Sequence, residues 1–281
     1  MFSVLMSVYN KEKAIFLSKA LNSLINQTLI PGEIIIVKDG ELTTELDEVI
    51  DTFCFEEKTK VKVLSLKSNV GLGKALELGL LETNFDIVAR MDSDDISYEN
   101  RFKLQFEFLC NNKHIDIVGS NINEFYKDSN VIQNSRIVPE NHFDIAKRMK
   151  WINGMNHVTV MFRKKAVIDS GNYNSFNGFE DYHLWIRMIL KNKKFYNIQK
   201  SLVAVRIGND MIGRRKGLTY FKKGGAASKK SKGSKICPAG KAWAKRTFDT
   251  YPSAYANLAA SKYCKDPNYA KGAKGKKKKK K

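Results

Sequence analysis

An α/β fold with a mainly parallel central sheet is the architecture that this sequence predicts, and three observations lead there. Short apolar runs of strand length alternate with stretches of helical spacing from the first residues onward. The runs are mainly apolar, as in strands covered on both faces. Each also stops in residues able to do chemistry: Ser7 and Tyr9, then Asp39, then Asp92, Asp94 and Asp95. In open α/β sheets, ligands bind at the carboxyl ends of the strands.

Taken in order, Phe2–Val8 is an apolar strand that Tyr9-Asn-Lys-Glu12 breaks. Phe16, Leu17, Ala20, Leu21, Leu24 and Ile25 then share one face of a helix over 16–27. Pro31-Gly32 is a turn. A second buried strand starts at Glu33 and ends at Asp39-Gly40, and a helix over 44–53 follows. Residues 61–66 are a third strand. Asn69-Val-Gly-Leu-Gly-Lys74 is a glycine-bearing loop that opens a helix over 75–81. The apolar run 87–91 is a fourth strand, followed by a helix over 98–109. Residues 115–119 read as a further strand and 120–150 as less regular. The second half of 151–163 is a strand with His157 at its start. Gly171-Asn-Tyr173 is a turn. Leu184, Trp185, Met188 and Ile189 set a helical face, with Glu180 and Asp181 in the first turn.

Three carboxylates within four residues, Asp92, Asp94 and Asp95, repel one another unless they are solvated, cap a helix or hold a cation. Oxygen ligands suit a hard ion such as Mg²⁺ or Mn²⁺. The bland reading is that Asp94 or Asp95 caps the next helix. A calcium loop fits badly, because Ser97 stands where its glycine belongs. No G-x-x-x-x-G-K-[ST] occurs, which excludes a P-loop nucleotidase, and no G-x-G-x-x-G occurs. Asp39-Gly40 alone reads as a plain turn, and a lone His157 as structural. Acids at 180 and 181 favour the helix dipole, or place a general base at a helix start.

The 281 residues carry a formal charge of +20 and are 43% hydrophobic, enough for a proper core. The charge is uneven: 223–281 hold 18 Lys+Arg and 2 Asp+Glu, which leaves +4 for 1–222. No apolar run is long enough to span a membrane, and the first residues read as a strand rather than a signal peptide. The four cysteines form no C-x-x-C pair, so a zinc ribbon is not expected and a reducing cytoplasm is.

Six stretches in order, Ser3–Glu12, Ile36–Gly40, Asn69–Leu76, Arg90–Asp95, His157–Val160 and Glu180–Trp185, make the chain resemble family-2 glycosyltransferases with the GT-A fold. It is most similar to exopolysaccharide and capsule enzymes of the amylovoran-biosynthesis type, a likeness that Val205–Gly217 shares. The resemblance covers residues 1 to about 222. It implies a metal-dependent, inverting transfer of a sugar from a nucleoside-diphosphate sugar, UDP-linked, to a glycan or lipid-linked acceptor. Ser7, Tyr9 and Asp39 would hold the base. Asp92 and Asp94 would be the D-x-D pair, with Asp94, and Asp95 beside it, reaching Mn²⁺ or Mg²⁺. Lys74 would approach the diphosphate and Asp181 would be the catalytic base. Lys38 and Glu99-Asn100 depart from the family's usual acidic residue and proline, but remove no chemical group.

Beyond 222 the sequence changes character. Residues 223–235 are a basic linker, 236–265 a short helical hairpin with Cys237 brought near Cys264, and 266–281 a Lys-rich end expected to be disordered. This part is similar to Lys-rich C-terminal modules of marine-phage proteins, which implies a phage-encoded enzyme in the host cytoplasm. A solubilising tail, a grip on nucleic acid and a grip on an anionic membrane all stay open. The alternative from another class is a virion or nucleic-acid-associated protein whose body is a vestigial sugar binder.

Overall fold

The computed structural model describes residues 1–56, 59–176 and 178–208, together with Ala239 and Ala242. The expected linker, hairpin, cysteine pairing and Lys-rich end otherwise lie outside the described residues.

The chain runs β1 (Ser3–Val8), α1 (Ala14–Ile25), β2 (Glu33–Lys38), α2 (Thr44–Glu56), β3 (Lys60–Ser65), α3 (Leu72–Leu81) and β4 (Ile87–Met91). It continues with β5 (Ile96–Ser97), α4 (Arg101–Asn111), β6 (Ile117–Phe125), β7 (Ile132–Arg136), α5 (His142–Arg148) and a single 3₁₀ turn, His157–Thr159. Then come β8 (Met161–Arg163), α6 (Lys164–Asp169), α7 (Glu180–Leu190) and β9 (Phe195–Arg206). The nine strands form one sheet in the order β3-β2-β1-β4-β8-β6-β9-β5, with β7 added on β6.

The fold is the expected α/β class. From β3 to β4 every pairing is parallel. Beyond β4 the sheet is mixed: β8 runs antiparallel to both β4 and β6, β6 runs parallel to β9, and β5 and β7 are antiparallel to their neighbours. Residues of β1 alternate between two buried layers, as the two-residue period of a strand demands. Val4, Met6 and Val8 face Leu17, Leu21 and Leu24 of α1, with Ile50 of α2 and Phe102 of α4 in the same cluster. Leu5 faces the other way, into a cluster with Leu76 and Leu80 of α3 and Leu184, Trp185 and Met188 of α7. Gly79 lets α3 approach the sheet: a Cβ there would sit 2.5 Å from Val37 and 2.6 Å from Leu5. β3 forms the edge of the sheet and carries exposed Lys60 and Lys62 there, which blunts further pairing.

Several elements differ from their expected bounds. α3 begins at Leu72, one turn early, because Gly71 takes φ 86° and serves as its N-cap. α4 begins late, since Ile96–Ser97 pair with β9 first. His157 does not start a strand. It opens the 3₁₀ turn, in which Thr159 Oγ1 donates to Asn156 O at 2.8 Å, and β8 follows. The stretch expected to be irregular holds the rest of β6, then β7 and α5.

Candidate active site

The parallel pairings of β1 with β2 and β4 bring three strand ends side by side. Ser7 is half-buried in β1 and Tyr9 lies just beyond it. Asp39, past the end of β2, is buried and accepts from Val70 N at 2.7 Å, Gly71 N at 3.0 Å and Asn69 Nδ2 at 3.1 Å. Its carboxylate therefore holds the loop that opens α3. The neighbouring Gly40 has φ 89°, and a Cβ there would meet Asn69 N at 2.6 Å. Lys74, in the first turn of α3, pairs with Glu77 at 3.0 Å.

At the end of β4, the buried Arg90 turns its guanidinium onto Asp92, with Nη1 donating to Oδ2 at 2.6 Å and Nη2 to Oδ1. Burial opposes the Arg90 charge, but Asp92 overrides it and raises the pKa. Asp95 is buried and accepts from the backbone N–H of Arg206 at 2.8 Å, so it fastens β9 to the site. Burial, then Asp94 and Asp92, push its carboxyl well above the ordinary range. Asp94 is half-buried. Burial, Asp92 and Glu12 raise its pKa to about 7. Glu12 itself accepts from Ser93 Oγ at 3.0 Å. Arg206 donates from Nε to Asp94 O at 3.2 Å and stacks over Phe16, 3.8 Å from the ring centroid.

Asp92, Asp94, Asp95, Glu180 and Asp181 all line one cavity of about 540 Å³. α7 supplies Glu180 and Asp181 from its first turn, where the helix dipole favours negative charge. Asn153 Nδ2 donates to Asp181 Oδ2 at 2.8 Å, and Met155 N donates to Asn153 Oδ1 at 3.0 Å, which fixes the amide's orientation. Asp181 keeps some contact with solvent, but the cavity walls desolvate it. That desolvation, aided by Glu180, raises its pKa against the opposing pull of the Tyr182 N–H, Arg90 and Asn153. His157 shares the cavity wall and its Nε2 meets the Tyr173 hydroxyl at 3.1 Å. Burial, then Arg90, hold its pKa well below normal, so the ring is neutral.

The structure thus brings Asp92, Asp94, Asp95 and Asp181 into one cavity. Ser7, Tyr9, Asp39 and Lys74 are not among the residues lining it and sit on the adjoining strand ends and α3. Among the described residues, no three His, Cys, Asp or Glu side chains are grouped to hold a metal ion by themselves. Sequence reasoning missed Glu12, Arg90, Asn153 and Arg206. Glu12 read as part of a strand break and Arg90 as part of a buried run. Nothing local in the sequence pairs Asn153 or Arg206 with acids so far away in the chain.

The family model described as Glycosyl transferase family 2 matches residues 3–171. An uncharacterized glycosyltransferase of Haemophilus influenzae is 41% identical over 79% of this chain and 81% of its own. The amylovoran biosynthesis glycosyltransferase AmsE of Erwinia amylovora is 36% identical over 79% and 82%. An Escherichia coli UDP-Gal:alpha-D-GlcNAc-diphosphoundecaprenol beta-1,3-galactosyltransferase is 37% identical over 78% of each chain. Among solved structures, S. aureus TarS 1-349 in complex with UDP-GlcNAc is similar at TM-score 0.62 and 16% identity, over 96% of this chain and 72% of that one. Its UDP complex gives TM-score 0.58 at 20% identity, over 74% and 61%. At such identities the likeness to TarS concerns the fold.

Proposed function

The chain belongs to glycosyl transferase family 2 and is a glycosyltransferase, and we propose that its residues 1–222 carry out a metal-dependent, inverting transfer from a UDP-sugar to a hydroxyl of a glycan or lipid-linked acceptor. The observation that carries this reading is the shared cavity of Asp94 and Asp181, two acids far apart in the chain. The first belongs to a cluster of acids suited to a phosphate-bound cation. The second is a carboxylate at the start of α7, next to Glu180 and held by Asn153.

A hard divalent ion fits the donor set. Asp94, Asp92, Asp95 and Glu12 offer oxygen only, and burial, followed by the nearby Asp92 and Glu12 charges, raises the pKa of Asp94, as expected of a carboxylate that a cation would stabilise. Mg²⁺ and its like are commonly held by one or two carboxylates, with substrate phosphates and water completing the shell. Asp94 and Asp92 would be those carboxylates, and Asp95 stands beside them with one oxygen engaged by β9. When bound, such an ion stabilises the charge that develops on a leaving diphosphate. Ser7, Tyr9 and Asp39 would hold the base along the ends of β1 and β2, and Lys74 would reach the diphosphate on leaving Glu77.

Asp181 would take the proton of the acceptor hydroxyl, a contribution of about 10²–10⁴ in rate. Attack from the side opposite the leaving group inverts the anomeric carbon. Asn153 keeps the carboxylate aimed and favours its charged form. The likeness to an amylovoran biosynthesis enzyme, and the lipid diphosphate in the name of the E. coli relative, support a glycan or lipid-linked acceptor. The basic residues 223–281 would add a salt-sensitive grip on nucleic acid or an anionic surface.

The test is release of UDP from a panel of UDP-sugars with Mn²⁺, after EDTA, and after Mn²⁺ is restored. Release that follows the metal is expected. Release indifferent to EDTA, or none from any donor, overturns the reading.

A further inference from the structure

We propose that the outer face of α5 and the turn after it seat this enzyme on an anionic lipid surface, with the mouth of the reaction cavity at that surface. The segment is amphipathic in an unusual sense. Its inner face is conventional: Ile145 and Met149 are fully buried, His142 stacks on Phe195, and Tyr182 Oη donates to Met149 O at 2.6 Å. Its outer face is apolar and basic where a surface helix is ordinarily polar. Phe143 is 74% exposed, and Lys147 and Lys150 lie exposed beside it.

The chain then tightens into a turn, in which Lys150 N donates to Lys147 O and Trp151 N to Arg148 O, and the turn carries the exposed Trp151 and Ile152 next to α5. Trp151 is 68% exposed and Ile152 58%, yet both also line the cavity, which places them at its mouth.

An aromatic and aliphatic patch left in water costs solubility unless something covers it. Two exposed cations, Lys147 and Lys150, stand against one exposed anion, Asp144, while Arg148 lines the cavity behind them, so the face is net positive and suits a negatively charged partner. Tryptophan and phenylalanine beside lysines are the side chains that settle at the boundary of headgroups and acyl chains. No helix among the described residues is long and apolar enough to cross a membrane, so contact by this segment is peripheral. The proposal rests on the cavity being the reaction site. It is independent of residues 223–281, whose charge would bind any polyanion.

The test uses the full chain and phosphatidylcholine vesicles with and without phosphatidylglycerol, at low and high salt. Binding to phosphatidylglycerol vesicles that persists in part at high salt is expected, because the apolar contribution is not screened. The double substitution Phe143→Asp with Lys147→Glu should lower vesicle partitioning about tenfold or more. It should leave UDP-sugar hydrolysis in solution unchanged, since neither residue lines the cavity. In a Trp243→Phe background, brominated lipid should quench fluorescence, and adding Trp151→Phe should abolish that quenching. Equal partitioning of the double variant, complete release by salt, or no quenching assignable to Trp151 overturns the proposal. Loss of hydrolysis in every form would count against the enzymatic reading, while partitioning would still decide this one.

Discussion

The two halves of the sheet are held by different means. From β3 to β4, the inner strands are buried and mainly apolar, and the core is side chains such as Ile34, Ile36, Val4 and Met6 against α1 and α2. From β8 to β9, the interior is laced with buried polar groups. Thr159 Oγ1 accepts from Ser120 N at 2.9 Å, Gln105 Nε2 donates to Thr159 O at 2.7 Å, and Asn156 Nδ2 donates to Ser120 O at 2.8 Å. Asn197 Nδ2 reaches Pro139 O at 2.6 Å and Gly154 O at 3.0 Å. The apolar half sets the ends of β1, β2 and β4 side by side. The polar half shapes the cavity wall, because directional hydrogen bonds fix loops that nonspecific packing would leave several ways to settle.

The sharpest way to break this comparison is within the cavity. Asp181→Asn keeps the shape of the polar half's acid but removes its basicity. Transfer should fall about 10²–10⁴-fold while calorimetric UDP affinity stays nearly unchanged. Turnover within a few-fold of the parent would remove Asp181 from the mechanism. On the other side, Asp94→Ala should weaken Mn²⁺-dependent UDP binding about tenfold or more, one charge-assisted contact being worth that much. Undiminished metal-dependent binding would contradict it.

Stability separates the halves next. Thr159→Val preserves shape but strips the acceptor from the Ser120 N–H, at a cost of about 1–3 kcal/mol. Ile36→Val removes one buried methylene from the apolar half and should cost about 0.5–1.5 kcal/mol. Urea unfolding compares them, and a smaller loss for Thr159→Val would undo the contrast.

The pH profile sharpens it further. With Asp181 as the proposed base, its raised pKa predicts that activity falls at a higher pH than an ordinary aspartate would show. Asn153→Ala removes a bond that favours the charged form, so the acid limb should move to higher pH still. A limb that stays put, or moves down, would show that Asn153 does not act through Asp181. The smallest effect belongs to Lys74→Ala. Lys74 already spends its charge on Glu77, so the donor KM should rise only about two- to threefold, the loss of an exposed charge contact.

The same contrast explains what could be read in advance. β1, β2 and β4 announce themselves as mainly apolar runs, so their bounds and the residues at their ends were legible. β6 carries Ser120, Asn121 and Asn123, and β9 carries Asn197, Gln199 and Lys200. Such residues break a hydrophobic pattern and disfavour strands locally, and only tertiary hydrogen bonds offset that. Residues 120–150 accordingly read as irregular. The acids at 92–95 and 181 were legible as candidates, by pattern and by family likeness. Their meeting in one cavity followed only from the family likeness, because nothing in the local pattern says where α7 packs. Arg90 was hidden inside a strand, where its partner Asp92 stands two residues further on.

The central claim, that the acid cluster and the proposed base Asp181 serve a single bound nucleotide, is tested most directly by a crystal grown with UDP and Mn²⁺ and measured at the manganese edge. The account predicts an anomalous peak against Asp94, with the diphosphate in the cavity that Asp181 also lines. A nucleotide seated elsewhere, or manganese away from the end of β4, would contradict it.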